Sequence, residues 1–426
     1  MGRRLAELSA SWRQGTFSSL YVRNYRLYYI GQIISTSGTF MQTVAQAWLV
    51  LDLTHSGKAL GLATALQYLP ILFLAPYGGV ITDRFPKRRI LLCTQSASGI
   101  LALVLGALVA TGAVRLWMVY ILAAGLGLVN VFDNPTRQTF HIELVGAENV
   151  RNAVTLYSIL VNLARIAGPA IAGVLIAAVG LAPCFLINGI SFGAVVLMLG
   201  MMNRSELLTS PPVPPGKGQI REGFRYVRDS PVLGPSLLMM AIIGTLTFEF
   251  QVSLPLLAHS TFKGDARSYA FLTSAMGFGA AFGGLFFAGR KGLAPGKLVN
   301  AALLFGLAVL AAAFMPSLVL SGVAMVVVGA CSINFSSLGN STLQLASAPQ
   351  LRGRVMSLWS VAFLGSTSIG GPIVGWCAER AGARWGLALG GFAALAAAAL
   401  GAVTLRRLPA VDGRGPELAD AAQGRP

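Results

Sequence analysis

The sequence predicts an all-α membrane protein whose twelve transmembrane helices form two pseudo-symmetric bundles of six. Of the 426 residues, 55% are hydrophobic and only 11% are charged, and the mean hydropathy is +0.68. A soluble core could not hide so much apolar surface, whereas about 20 uncharged residues span a bilayer as a helix. An internal repeat is the second observation: Asn134–Gln138 and Gly168-Pro169 recur about two hundred residues later as Asn340–Gln344 and Gly371-Pro372. Duplicated membrane bundles of this kind usually move solutes.

Twelve apolar segments support the helix count, and the charges around them predict the orientation. With a cytoplasmic N-terminus, six of the 32 Lys and Arg residues fall in outside loops and two fall within spans. The positive-inside rule therefore favours an even number of spans, with both termini in the cytoplasm. The segments lie near 27–52, 59–82, 89–112, 115–140, 152–179, 181–202, 234–259, 268–289, 297–315, 317–344, 354–379 and 385–405. The outside basic residues are Lys58, Arg115, Lys263, Arg267, Arg380 and Arg384.

The spans divide the chain into two bundles with a polar linker between them. Proline-rich 211–215 predicts an extended tether, and 220–228 predicts a helix with Ile220, Phe224 and Val227 on one face and arginines on the other. We expect this helix to lie on the membrane surface, and a partner-binding helix is the alternative. The regions are a cytoplasmic tail 1–26, bundle 27–202, cytoplasmic linker 203–230, bundle 231–405 and cytoplasmic tail 406–426.

Composition also argues against several function classes. The formal charge of +17 comes from basic residues beside spans, which indicates topology and anionic lipid rather than nucleic acid. The four cysteines lie in apolar segments without metal-ligand spacing, and the three histidines are scattered, so we expect neither a disulfide nor a metal site. No phosphate-binding loop, catalytic triad or carboxylate pair is recognisable, so we expect no cofactor and no enzyme activity. The basic N-terminal segment has no cleavable signal pattern, so the first span should remain a helix.

Polar residues on the first span predict a substrate cavity. They occur at spacings of three and four, so they share one helical face, which lipid would not tolerate and a water-filled pathway would. Polar packing between helices is the alternative. Asn130 and Asn134 on the fourth span extend the same pattern, and amide linings suit a bulky, partly polar solute. The face consists of Gln32, Ser35, Thr39, Gln42 and Gln46.

Four charged residues lie within or at the edge of predicted spans, where a charge at mid-bilayer costs at least about 2.5–3.5 kcal/mol. Asp133 and Arg137 are one turn apart, so they either neutralise each other or serve in a cytoplasmic gate, and Asp133 is also a candidate for proton coupling. Arg165 shares a face with Asn162 and meets either an anionic substrate or a carboxylate across the bundle. Glu249 has no basic residue within a turn, which makes it the best candidate for coupling to protons; a static pair with Arg165 or exposure to an outer vestibule are the alternatives.

The loop between the second and third spans carries a specific motif, GGVITDRFPKRR, at residues 78–89. It resembles the G-x-x-x-D-R-x-x-R-R signature of the major facilitator superfamily, with Pro86 where glycine is frequent. The resemblance implies that Asp83 docks on the amino terminus of the eleventh span as an inner-face latch. It assigns Gly79, Arg84 and Arg88 to the same gate, although topology alone would explain the basic residues. The superfamily's frequent arginine in the fourth span is missing, which puts proton coupling by that route in doubt.

Two further stretches, FDNPTRQTFHIEL at 132–144 and NLARIAGPAIAG at 162–173, resemble the efflux branch of that superfamily that includes enterobactin exporters. Gly168-Pro169 is similar to the superfamily's antiporter motif, but Ile159 stands where an upstream glycine is expected. A pivot of the fifth helix is predicted there, with Gly371-Pro372 as its repeat in the eleventh span; simple small-residue packing is the alternative.

The resemblance implies a secondary transporter of the major facilitator fold, in a bacterial inner membrane, that works by alternating access. We expect a proton-coupled exporter of a siderophore, drug or similar amphipathic molecule, acting as a monomer. Its partners would be the lipid bilayer, a small-molecule substrate and protons. A proton-coupled uptake symporter and a transport-inactive scaffold or sensor are the alternatives.

Overall fold

A computed structural model describes residues 17–208, 219–287, 295–348 and 351–405 of the chain. Within these ranges the secondary structure is helical, without a strand. The description does not include the side chains of a few helical residues, which are Pro76, Val80, Asp83, Phe287, Pro295 and residues 219–223. The proline-rich part of the linker and most of both predicted tails lie outside the described residues.

Six long helices follow one another in the first half of the chain. Pro86 is the N-cap residue of the helix Lys87–Ala110 and so separates it from the preceding helix, Gly57–Arg84. The helical stretch Leu116–Val179 is 64 residues long, but Gly146 interrupts it with a φ of 75° and a ψ of 171°, a conformation open to glycine. We call the part before Gly146 α4 and the part after it α5. The other helices are α1 (Arg23–Thr54), α2 (Gly57–Arg84), α3 (Lys87–Ala110) and α6 (Ala182–Gly200).

Helices of the second half are more often interrupted. Residues 247–249 divide the seventh predicted span into two helices, Leu233–Leu246 and Phe250–Leu256. The second of these continues into a π-helical turn, Leu257–Thr261. The eleventh consists of α13 and α14 with a π-helical turn, Val361–Gly365, between them. The helices are α7 (Gln219–Asp229), α8 (Leu233–Leu246), α9 (Phe250–Leu256), α10 (Ala266–Phe287), α11 (Pro295–Ala313), α12 (Leu318–Ala346), α13 (Arg352–Ser360), α14 (Thr367–Ala381) and α15 (Ala383–Thr404).

In the described part of the chain, ten helical segments are long and apolar enough to cross a membrane. Leu116–Val179 is one of the ten, although the break at Gly146 makes it two of the predicted spans. α1 is not among them, because its polar residues lower its hydropathy. With these two adjustments every predicted span has a helical counterpart, and the all-α fold class is confirmed.

Chain contacts divide the molecule into two compact units. Unit 1 comprises residues 1–45, 76–114 and 128–214, and unit 2 comprises 46–75, 115–127 and 215–426. Unit 1 has an aromatic core in which Tyr25, Tyr28 and Phe140 are fully buried. In unit 2, α7 is anchored by Val227, which packs with Leu343 and Val355, whereas Phe224 on the same face is exposed. The predicted bundle boundaries at residues 202 and 231 stay a prediction.

Candidate transport site

Asp133 on α4 is the centre of a buried polar network in unit 1. Its side chain is almost inaccessible, at 2% exposure, and one carboxylate oxygen accepts hydrogen bonds from the Thr94 hydroxyl and the Gln95 amide, both at 2.7 Å. The other oxygen accepts from Arg137, which lies one turn further along α4 and also donates to the Gln32 amide oxygen. Asp133 and Arg137 therefore pair with each other within α4. The gating and coupling roles predicted for this pair stay predictions.

His141, to which the sequence assigned no chemistry, lies one turn beyond Arg137. Its ring centroid is 6.2, 5.7 and 5.0 Å from those of Tyr25, Tyr28 and Tyr157. His141 Nδ1 and the Tyr28 hydroxyl are buried, and neither has a hydrogen-bond partner among the described residues. From the sequence, the spacing of four predicts only that His141 lies on the same face of α4 as Arg137. The contacts with the three tyrosines could not be predicted, because two of them come from α1 and one from α5.

The polar face of α1 has two kinds of residue. Gln32, Ser35 and Gln42 are buried inside unit 1, and Gln42 accepts a hydrogen bond of 2.7 Å from the Asn188 amide on α6. For these three residues the structure favours helix-to-helix packing, the alternative to a cavity lining. Asn188 had no sequence signal, because an asparagine in an apolar span can face several neighbours.

The remaining polar residues predicted for the cavity are more accessible. Thr39 and Asn134 are exposed, and Asn130 is half-buried. Gln46 lies in unit 2, where its amide donates to the Gln67 side chain at 3.1 Å. The cavity assignment stays a prediction for these residues and for the buried part of the α1 face.

The signature loop is anchored within unit 1 by its basic residues. The Arg88 guanidinium is buried and donates to the last carbonyls of α6, those of Leu199 (2.7 Å) and Gly200 (3.0 Å). This contact satisfies carbonyls that a helix end leaves unpaired. Lys87 forms a half-buried ion pair with Glu143 of α4 at 2.6 Å, which the sequence did not signal.

The other gating residues of that loop differ in their surroundings. Arg84 is exposed, and the predicted latch through Asp83 concerns a side chain outside the described residues. Gly78, rather than Gly79, makes the close approach: a side chain at Gly78 would overlap the Val131 carbonyl oxygen, whereas one at Gly79 would meet nothing within 4 Å. The gating role of the loop therefore stays a prediction.

On α5, the predicted pivot lies against α1. A side chain at Gly168 would come within 2.6 Å of the Phe40 Cβ and 2.7 Å of the Ser37 carbonyl oxygen, and the following Pro169 is buried. One turn earlier, the Arg165 guanidinium lies over the Phe40 ring, 5.8 Å from its centroid. Asn162 donates to the Ser158 carbonyl in its own helix at 2.9 Å.

Glu249 lies at the helix break between α8 and α9 in unit 2. Its side chain is 2% exposed, and no hydrogen-bond partner within normal distance reaches either carboxyl oxygen among the described residues. A side chain at Gly370 would overlap the Thr245 carbonyl oxygen and lie 2.8 Å from Oε1 of Glu249, so these two oxygens are neighbours. The Thr367 hydroxyl of α14 and the Tyr68 hydroxyl of α2 both interact with the carboxyl. The predicted static pair with Arg165 lies between residues of different units and stays a prediction.

In unit 2 the segment 57–61 of α2 packs closely on α14, and we call this the α2–α14 contact. A side chain at Gly61 would overlap the Gly371 carbonyl oxygen, and one at Gly57 would lie 2.6 Å from that of Gly375. At the end of the contact, Lys58 Nζ forms an ion pair of 3.1 Å with Glu379.

Glu379 also binds the start of α2. Its carboxylate accepts hydrogen bonds from the Ser56 hydroxyl at 2.8 Å and the Lys58 backbone N–H at 3.1 Å. A carboxylate at a helix N-terminus is favoured by the free N–H groups and the helix dipole. Nearby, the His55 ring stacks on that of His259 with centroids 5.7 Å apart. The role of Glu379 was not predicted, because its partners are more than 320 residues away in sequence.

Comparison with known proteins decides the family. The family described as transmembrane secretion effectors, within the major facilitator superfamily, matches residues 14–420. The chain belongs to this family. Its members are transporters, so the protein is a multi-pass membrane protein that acts on a small molecule. Bacterial exporters among its relatives imply an inner membrane.

Two relatives show which transporters the protein is similar to. The enterobactin exporter EntS of Escherichia coli O1:K1 is 26% identical over 359 residues, which are 82% of this chain and 84% of that one. The staphyloferrin A transporter of Staphylococcus aureus is 28% identical over 236 residues, 54% of this chain and 58% of that one. The second match thus spans little more than half of that relative.

Solved structures confirm the major facilitator fold. A POT family transporter has a TM-score of 0.73 at 12% identity, with 89% of this chain and 96% of that one covered. A bacterial homologue of the human lysosomal transporter Spinster, in an inward-facing conformation, has a TM-score of 0.66 at 16% identity, with 91% and 95% covered. At such low identity these likenesses concern the fold alone.

Proposed function

We propose that this family member is a proton-coupled exporter that moves a siderophore or similar amphipathic molecule out of the cytoplasm by alternating access. Family membership and the relatives named for enterobactin and staphyloferrin A support this substrate class. Both termini lie in the cytoplasm, as the basic residues indicate, and the protein works as a monomer without a cofactor or an enzymatic step. Neither the symporter nor the scaffold alternative is favoured by these relatives.

The observation that carries the proton coupling is the surroundings of Glu249. Oε1 of Glu249 and the carbonyl oxygen of Thr245 are both acceptors and both lie next to Gly370, and neither carboxyl oxygen has a hydrogen-bond partner within normal distance among the described residues. A proton on the carboxyl would convert it into a donor to that carbonyl, which the helix break leaves available. Asp133 already receives several donors, so of the two predicted acids Glu249 is the one that exchanges the proton.

The position of Glu249 connects this proton to the transport cycle. A side chain at Gly371 would lie 2.9 Å from the Gly61 carbonyl oxygen of α2 on one side and 3.6 Å from Oε2 of Glu249 on the other. With the proposed orientation, the α2–α14 contact is the closed outer gate, so Glu249 lies directly behind it. A neutral Glu249 permits this close packing, whereas an unpaired buried charge opposes it. Proton entry from outside therefore accompanies outer closure, as export by antiport requires.

The test is a transport measurement with a neutral variant of Glu249. A deletion strain is screened for secretion of siderophores and for susceptibility to hydrophobic drugs, and the solute identified is followed in everted vesicles energised by respiration. We expect Glu249→Gln to abolish pH-driven accumulation, while exchange of labelled for unlabelled solute continues, because the neutral side chain mimics the protonated form.

Glu206→Gln serves as the matched control, since Glu206 is exposed in the loop after α6. Full pH-driven accumulation by the Glu249→Gln protein would contradict the coupling role. Accumulation in right-side-out rather than everted vesicles would instead show uptake, and no transport of any solute would contradict the transporter mechanism as a whole.

A further inference from the structure

Arg165 is a cation halfway along a membrane-spanning helix, and the described residues provide no counter-charge for it. The other two guanidinium groups of the network and the signature loop have partners: Arg137 binds Asp133, and Arg88 binds the carbonyls that end α6. For Arg165, no hydrogen bond or ion pair to any described residue is present, and the Phe40 ring is its contact. A charge left at this depth is costly and normally indicates a functional group that meets a ligand.

The face of α5 that carries Arg165 changes character at this residue. Residues on one helical face recur every three or four positions. Towards Gly146 this face is exposed, and towards Val179 it is buried, while Arg165 itself is partly exposed at the transition. The exposed residues are Arg151, Val154 and Ser158, and the buried ones are Pro169 and Ala172.

This exposed strip carries more polar character than a lipid-facing surface usually has. Arg151 and Ser158 belong to it together with Val154, and the partly exposed Asn162 continues it towards Arg165; a charged residue such as Arg151 favours contact with water over hydrocarbon. In the proposed orientation the strip begins at the cytoplasmic end of α5. It therefore forms one wall of a hydrated path that leads from the cytoplasm to the Arg165 guanidinium.

We infer that Arg165 binds a carboxylate of the transported molecule and that the Phe40 ring holds an aromatic or apolar group beside it. A guanidinium matches a carboxylate with two parallel hydrogen bonds, and the Phe40 ring, whose centroid is 5.8 Å from the Arg165 guanidinium carbon, provides an apolar surface beside it. The substrate class is thus an organic acid with an apolar body, and the anion supplies the charge that the protein does not. The inference rests on the proposed transport function and names the chemistry of its substrate.

The test uses two probes that share a naphthalene ring and differ in carrying a charged carboxylate or a neutral amide, 2-naphthoate and 2-naphthamide, with the full chain in lipid nanodiscs. Equilibrium binding is measured by probe fluorescence. We expect the wild type to bind naphthoate more tightly than naphthamide, and Arg165→Gln to weaken naphthoate binding about ten-fold or more while naphthamide binding is unchanged. Arg165→Lys should keep part of the preference, because it retains the charge but not the paired donors.

Arg115→Gln is the matched control, since Arg115 is an exposed arginine at the start of α4 and its removal should change neither affinity. Melting temperatures in the nanodisc check that each variant is folded. If Arg165→Gln does not fold, Arg165→Lys is compared with the wild type instead. Equal binding of the two probes by the wild type, or an equal loss of both in the Arg165 variants, would overturn the inference. Proton-driven transport that persists in that case leaves the proposed function intact.

Discussion

At the scale of single residues, the buried charges differ in how far the protein itself compensates them. Asp133 and Arg137 form a closed network with Thr94, Gln95 and Gln32, so neither charge needs an outside partner. Glu249 and Arg165 have no such network in the described residues, and these are the two groups to which we assign a proton and a substrate anion. The distinction follows from desolvation: a buried charge needs donors, acceptors or an opposite charge.

The Asp133–Arg137 pair allows a stability test. Arg137→Met leaves the Asp133 charge without its main partner, and we expect a loss of about 3–5 kcal/mol in the free energy of unfolding. The double variant Asp133→Asn/Arg137→Met removes both charges and should recover a large part of this loss. Denaturant unfolding in detergent, followed by tryptophan fluorescence, provides the measurement.

For comparison, Arg84→Met changes an exposed arginine and should alter stability by no more than about 0.5 kcal/mol. Additive losses in the Asp133/Arg137 double variant would argue against a coupled pair and would return Asp133 to consideration as a free titrating group.

At the scale of helices, interruptions occur where polar groups must be brought together. The break between α8 and α9 frees the Thr245 carbonyl and places it beside Glu249, and the π-helical turn Val361–Gly365 precedes Thr367, which faces the same carboxyl. Backbone irregularity inside a membrane is tolerated where protein or a cavity satisfies the freed groups. We therefore expect the seventh and eleventh spans to take part in transport as well as to anchor the protein in the membrane.

The α2–α14 contact should fail when a methyl group is added at Gly61. A Cβ there would overlap the Gly371 carbonyl oxygen, and backbone cannot yield as a flexible side chain can. We expect Gly61→Ala to slow transport at least about ten-fold, since one state of the cycle is lost. The substitution should also expose position 64, since Thr64 is buried beside Gly371. The exposure is measured as labelling of Thr64→Cys by an impermeant maleimide, in a protein from which the native cysteines have been removed.

Gly193→Ala is the control for this element, because a side chain at Gly193 meets nothing within 4 Å. Unchanged transport and unchanged labelling at position 64 in Gly61→Ala would show that the contact does not limit the cycle.

At the scale of the whole molecule, the contact joins segments that are far apart in the chain. Residues 46–75 and 115–127 belong to the same compact unit as the second half of the sequence. Within this unit Glu379 holds the start of α2 through Lys58 and Ser56. An exposed ion pair alone contributes little stability, at most about 1 kcal/mol, so this group can close and reopen during each cycle.

A reversible cross-link tests whether this closure is part of transport. Lys58→Cys/Glu379→Cys, joined by a short disulfide-forming bifunctional reagent, should stop transport, and reduction should restore it, because alternating access requires the contact to separate. The single variants treated in the same way control for loss of the ion pair. Continued transport by the cross-linked protein would contradict the gate assignment.

Much of this architecture follows from the sequence. The length and polarity of the apolar runs determine helices in a membrane, because a bilayer excludes backbone that is not hydrogen-bonded internally. The spacing of four between Asp133 and Arg137 determines their pairing on α4, and the isolation of Glu249 from basic neighbours along its helix is also a local property.

Tertiary structure alone decided which polar residues are already satisfied. Gln32 and Gln42 have the spacing of cavity residues along α1, yet their amide oxygens accept hydrogen bonds from Arg137 and Asn188. Periodicity describes one helix face and carries no information about the neighbour that covers it. The same reason applies to Glu379 and the start of α2, and to the Thr245 carbonyl beside Glu249: these partners come from distant segments, and only packing brings them within hydrogen-bonding distance.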